Sequence, residues 1–214
     1  MLRAFVRMVV VGMLFCLLAS CSFVQLRPRE IKADRVNKFT LHMDDRFTRA
    51  EREVVIDSFA EWERDTHGVV RFVVSPAKWN SATDEADYSV DDENGCTVDV
   101  YVVSITGEHK SVREFERRGG GTKGNTLGYT VHVCDTKFVA FVMDRINAFK
   151  DPQLLRNVGV HEAGHLIGLA HIPVPDESIM FPSMDHAAKC PTKLDMKQLC
   201  LLYGCDWHDM KSCD

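Results

Sequence analysis

Apolar positions recur along the chain with two different spacings, and each spacing predicts an element. Lys38 to Met43 reads as a first strand. Thr48 opens a helix, because Thr48-x-x-Glu51 has the form of a capping box. Val55, Phe59 and Trp62 then follow at helical intervals and predict a stripe facing the core. Gly68 ends that stretch. Val69 to Val74 is apolar and β-branched, a second strand closed by Pro76. Val98 to Ile105 is a third. Leu127 to Val133 and Phe138 to Met143 are two short strands with a turn around Asp135. Asp151 is expected to cap a helix whose first residue is Pro152, a favourable N1 choice, and which runs to about Gly168. A last helix starts near Thr192, with Asp195 three residues on and Leu199 and Leu202 on one side.

Two stretches carry no period. Residues 76–97 are acidic, with Asp84, Glu85, Asp87, Asp91, Asp92 and Glu93. Their spacing does not match an EF-hand loop, so a solvated loop is favoured over a calcium site. Residues 107–126 are charged and contain Gly119-Gly120-Gly121; they lack phosphate-loop spacing and read as a mobile surface loop. There is no internal repeat. Strands and one helix, then strands, then helices make an α+β domain over residues 38–214, with a Cys-rich C-terminal tail.

The first twenty residues stand apart from this pattern. Arg3 and Arg7 precede an apolar run, Val9 to Leu18, that is too short to span a bilayer as a helix. Leu18-Ala19-Ser20-Cys21 follows and resembles a bacterial lipobox, in which cleavage precedes a cysteine that is then acylated. That resemblance implies a signal peptide over 1–20, a lipid anchor at Cys21, and membrane attachment through a polar tether over 21–37. Ser22, in place of an aspartate, implies by the same resemblance an exported protein at the outer membrane. An ordinary secretory signal with a nearby cysteine is the alternative.

Composition narrows the classes further. The 214 residues suffice for one domain with a core, and 45% hydrophobic with 27% charged residues is a globular profile. Taking Arg3 and Arg7 from the 26 basic residues leaves 24 against 31 acidic, a net −7. A mildly acidic chain without a basic cluster is a poor partner for nucleic acid, and none is expected. A monomer is expected. Beyond Cys16 and Cys21 six cysteines remain: Cys96, Cys134, Cys190, Cys200, Cys205 and Cys213. An even number in an exported chain predicts disulfides, and the crowding of four in the last 25 residues predicts a stapled tail. Six cysteines allow fifteen pairings, and the sequence does not choose among them. A four-cysteine zinc site is the alternative that an oxidising compartment disfavours.

The chemistry concentrates in His161-Glu162-Ala163-Gly164-His165-Leu166-Ile167-Gly168-Leu169-Ala170-His171. On a helix, residues i and i+4 lie one above the other, so His161 and His165 can meet one ion. Glu162 lies about 100° round the helix, within reach of a metal-bound water without being a ligand. Catalytic zinc takes three protein ligands and keeps a fourth place for water. His171 supplies the third once the chain turns, and Gly168 provides the freedom for that turn. Zinc would acidify its water and polarise a carbonyl, and Glu162 would carry the proton as general base.

With these residues the sequence resembles the metzincins, whose long histidine motif is followed by a methionine turn. Ser178-Ile179-Met180-Phe181-Pro182 is the candidate turn, with Met180 nine residues after His171. The resemblance is strongest to the matrixin branch, through Trp62, Leu127-Gly128-Tyr129, Met180-x-Pro182 and Leu202-Tyr203-Gly204. It implies a zincin domain: a twisted mixed sheet over an active-site helix, then a short C-terminal subdomain with the methionine turn and a final helix. It implies that Met180 packs beneath the histidines without binding metal. It also implies that the strand with Leu127, Gly128 and Tyr129 edges a cleft where an extended substrate pairs its backbone. The chain departs from the branch in three places. Only His109 and His132 are available for a structural zinc, so one catalytic ion is expected. Pro182-Ser183-Met184 replaces Pro-x-Tyr, and no cysteine-switch segment lies between Cys21 and the domain.

The function implied is a zinc endopeptidase acting on protein or peptide. Two alternatives stay open: a catalytically silent, protein-binding lipoprotein with the same cleft, and a zinc hydrolase of a non-peptide amide bond. Glu162 argues against the first; His171 and Met180 argue against the second.

Overall fold

The sheet explains where everything else sits. In the computed structural model, residues 37–77, 97–121, 123–133 and 136–213 are described. Five strands, β1 (Asn37–Met43), β2 (Val70–Val74), β3 (Thr97–Ile105), β4 (Gly128–Val133) and β5 (Thr136–Val142), lie in the order β2-β1-β3-β5-β4. The first four in that order run parallel, and β4 is an antiparallel edge strand. This is the mixed sheet of the expected α+β, metzincin-like fold. Period-two alternation gives the sheet two unlike faces. Phe39, Leu41 and Met43 of β1, Val100 and Val102 of β3, and Val139 and Phe141 of β5 line the inner one, all buried.

Two helices cover that inner face. Helix α1 (Arg49–Asp65) starts at Thr48 with both halves of the capping box formed. Val55, Phe59 and Trp62 are its fully buried stripe, as the spacing predicts. The helix after the long break in periodicity, α4 (Leu154–Leu166), is buried along most of its length. Trp62 Nε1 donates to the Val160 carbonyl at 2.8 Å, and Arg156 of α4 pairs with the buried Glu61 of α1. The two helices are thus locked by one buried indole and, at the margin of the core, one partly exposed ion pair.

Three local expectations are corrected. Residues 107–126 contain a helix, α2 (Lys110–Arg117), where a loop was expected. His109 caps it by accepting from Ser111 N–H, and only Val112 and Phe115 of its residues meet the core, too few to register as a period. The strand expected to reach Met143 ends at Val142, and Met143–Ala148 forms the short helix α3. Helix α4 begins at Leu154 rather than Pro152, because Asp151 accepts from Gln153 N–H and closes a turn ahead of the helix. It also stops at Leu166, two residues short of Gly168. The final helix α5 (Lys193–Tyr203) has its capping box at Thr192 and Asp195, as expected, and ends on the left-handed Gly204.

Residues 1–36 and 78–96 lie outside the described residues, and with them Cys21, the tether, Cys96 and most of the acidic loop; so does Cys134. Among the described residues no helix is long and apolar enough to cross a membrane. Two disulfides, Cys190–Cys213 and Cys200–Cys205, staple the tail.

Candidate metal centre

Helix α4 presents His161, Glu162 and His165, and its C-terminus decides where the third histidine goes. Gly168 N–H donates to the His165 carbonyl at 3.0 Å and Leu169 N–H to the Gly164 carbonyl at 2.9 Å. These two bonds, with Gly168 at φ 103°, form a Schellman ending that reverses the chain. Two further helix-end carbonyls are bonded by side chains: Lys137 Nζ donates to Leu166 at 2.7 Å, and Tyr203 Oη to Ile167 at 3.0 Å. The chain then returns to the helix, and His171 comes back to within reach of His165.

The three imidazoles converge. One ring nitrogen from each of His161, His165 and His171 lies within 4.8 Å of the others. Nε2 of His165 and Nε2 of His171 are 3.1 Å apart. Nitrogens ligating one tetrahedral zinc at ~2.0–2.1 Å stand about 3.3–3.4 Å from each other, so the donor set fits that ion. Backbone carbonyls aim the rings: Nδ1 of His161 meets Ile179 O at 2.7 Å, and Nδ1 of His165 meets Leu169 O at 2.8 Å. A carbonyl on Nδ1 fixes the tautomer and leaves Nε2 as the ligand. Burial, with His165 and His171 close by, holds the His161 imidazole down at about 3, so it stays neutral as a ligand must. Among the described residues this is the one cluster of its kind.

Glu162 is buried beside them at 4% exposure. Burial pushes its carboxyl up to about 8, while a hydrogen bond from Thr130 works the other way. Thr130 Oγ1 lies 2.8 Å from Glu162 Oε2.

Met180 is fully buried against the same helix. A Cβ on Gly164 would overlap its sulfur, so the bare backbone of Gly164 is what lets Met180 pack against the helix turn that carries His161 and His165. The turn holding it is bonded to α5. Asp195, fully buried, accepts from Ser178 Oγ at 2.5 Å, Ile179 N–H at 3.1 Å, Thr192 N–H at 2.8 Å and Thr192 Oγ1 at 2.9 Å. Ile172 N–H donates to Met180 O at 3.0 Å, tying the third-histidine segment to the turn.

The edge residues divide. Gly128 and Tyr129 belong to β4; Leu127 precedes it but accepts from Val142 N–H at 2.8 Å, extending the ladder. The Tyr129 ring turns to the outer face, where it stacks on Phe115 and donates to Ser111 Oγ at 2.7 Å. Sequence reasoning placed Asp195 only as a helix cap and missed Thr130, Lys137 and the Gly164–Met180 contact. Strand alternation puts Thr130 on the same face as Gly128, but no local signal says which helix residue it meets.

A family model described as Matrixin matches residues 35–204. No curated protein is significantly similar in sequence. Among solved structures, archaemetzincin from Methanopyrus kandleri is similar at 17% identity and a TM-score of 0.48, over 84% of this chain and 100% of that one. Metalloproteinase-II from Bacteroides fragilis is similar at 13% identity and a TM-score of 0.42, over 82% of this chain and 55% of that one.

Proposed function

The chain belongs to the matrixin family of metallopeptidases, and on that premise we propose that it is a zinc-dependent endopeptidase with His161, His165 and His171 as ligands and Glu162 as general base. The observation that carries this reading is the convergence of three imidazoles, two of them oriented by backbone carbonyls, next to a buried, hydrogen-bonded carboxyl group. Bound there, zinc would supply an acidified water and a polarised substrate carbonyl. The chain's own groups do the rest. An extended peptide adds to the free side of β4, and its backbone lies along the strand edge. Glu162 takes the proton of the attacking water and hands it to the departing amine. Met180 and the aimed rings keep the histidines rigid while this happens. A lipid at Cys21, supported by the order of charge, apolar run and cysteine in the sequence, would hold the enzyme at the cell envelope.

The test is cleavage of an unfolded protein substrate by the protein and by Glu162→Ala. Chelator-sensitive cleavage that disappears in a zinc-loaded Glu162→Ala variant supports ligands and base together. A folded, zinc-loaded wild type that cleaves nothing sinks the endopeptidase reading.

A further inference from the structure

Strand β4 and helix α4 run alongside each other with matching rows. Two residues of strand advance about 6.6 Å and four residues of helix about 6 Å, so side chains at i+2 on one keep step with side chains at i+4 on the other. Gly128 meets Val158 and Glu162, Thr130 meets Glu162, and one strand over Lys137 meets the Leu166 carbonyl. Gly128 and Thr130 pair across the ladder with the buried inward residues Phe141 and Val139, which fixes them on the face toward α4. Glu162 is therefore bracketed by two residues of the substrate-edge strand. On one side, a Cβ at Gly128 would sit 2.9 Å from Oε1, so the absent side chain makes the space that oxygen occupies. On the other, Thr130 Oγ1 lies 2.8 Å from Oε2 and 3.1 Å from the Glu162 carbonyl. Among the described residues, Thr130 is the only side chain hydrogen-bonded to this carboxylate.

We propose that Thr130 is the positioning residue for the general base: its hydroxyl pins Oε2, and Oε1 is the oxygen that takes the proton. The inference rests on Glu162 acting as base, and deepens that reading by naming what holds it. A carboxylate on a flexible side chain has several rotamers, and a buried one with no partner is strongly disfavoured. The hydroxyl selects one rotamer and leaves the second oxygen unengaged for the reacting water. It also couples the base to the strand on which the peptide lies, so chemistry and substrate backbone share one rigid reference. Register makes the contact specific. A shift of one residue in β4 would turn Tyr129 or Val131 toward Glu162 and remove the hydroxyl altogether.

Thr130→Val keeps the shape and the β-branched strand preference and deletes only the hydroxyl; Thr130→Ser keeps the hydroxyl and deletes the methyl. For a peptide substrate, Thr130→Val is expected to lower kcat about ten- to a hundredfold with KM nearly unchanged, the signature of a lost transition-state contribution. Thr130→Ser is expected to recover most of it. Zinc content should remain one per chain in both, and a crystal structure of Thr130→Val should show the Glu162 carboxylate moved from its place. A Thr130→Val variant with wild-type kcat, or a carboxylate unmoved in its structure, overturns the proposal. So does a Thr130→Ser variant as impaired as Thr130→Val, which would make the methyl packing the cause. A wild type that binds zinc and cleaves nothing removes the role of Glu162 itself, and is told apart because the defect then precedes any change at Thr130.

Discussion

In the sheet and its two covering helices, the large side chains Leu41, Val55, Phe59, Trp62 and Phe141 are wholly shielded, and apolar contact dominates. Past Leu166, the wholly shielded carboxylate of Asp195 ties separate segments together. Asp195 gathers four donors from the methionine turn and the start of α5, and two disulfides close the segment behind it. The stretch from 167 to 213 has one α-helix, of eleven residues; Ile179, Met180, Met196 and Leu199 join the apolar core, and directional bonds and covalent links supplement them. The metal centre straddles this divide. Two histidines and the glutamate stand on the well-packed side, and His171 comes from the side held by polar bonds. The first part sets the position of the site, and the second decides whether it is complete.

That contrast can be broken in several ways. Phe59→Ala removes a large ring from the apolar part and should cost about 3–5 kcal/mol. The urea midpoint should fall, and fluorescence and zinc binding should be lost in one transition. Asp195→Ala should cost about 3 kcal/mol, because several buried donors lose their acceptor at once. Its damage should differ in kind: faster amide exchange across 167–213 and weaker zinc binding, with the sheet amides still protected. If sheet and tail amides deprotect together, the two parts are one cooperative unit and the contrast fails. Replacing both Cys190 and Cys213 by serine opens a loop of 23 residues and should cost about 2–3 kcal/mol. The Lys211 N–H bond to Asp65 O should fray while His171 stays in place, so zinc affinity should change less than in Asp195→Ala.

The smallest effect is on pH, in the metal-free protein. Glu162 has its folded pKa raised to about 8, so its contribution is fully present below about 4.5 and is lost as pH rises through 8. His161 is held down at about 3, so its contribution is present above about 6.5 and lost as pH falls toward 3. Between pH 6.5 and 8 the loss from Glu162 outweighs the smaller gain as Lys137, its ammonium held down at about 8 by burial, begins to deprotonate, and stability should decline by about 1–2 kcal/mol. Melting curves of Glu162→Gln should lack that decline.

The same divide governs how much the sequence revealed. Apolar periodicity found α1 through Val55, Phe59 and Trp62, and both capping boxes, at Thr48 and Thr192, formed as written. These are signals complete within one turn of helix. Gly168 was legible because a third ligand six residues after His165 requires a reversal. Helix α2 was not legible, since Val112 and Phe115 are its only apolar residues and its support comes from Tyr129 on a strand. Asp195 was visible as a cap but not as the anchor of the methionine turn, and Thr130 was not visible as the partner of Glu162. Both contacts join segments whose approach depends on how a strand and a helix pack, and no local pattern encodes that distance.

The bare backbone at Gly164 also constrains the history of the chain. Because a methyl there would occupy the volume of the Met180 sulfur, positions 164 and 180 behave as one inherited character. A drift to alanine at 164 is tolerable only after 180 has shrunk, and a bulkier residue at 180 only while 164 has no side chain. Each single step should be worse than the pair made together, so the two sites are expected to vary jointly among descendants or not at all.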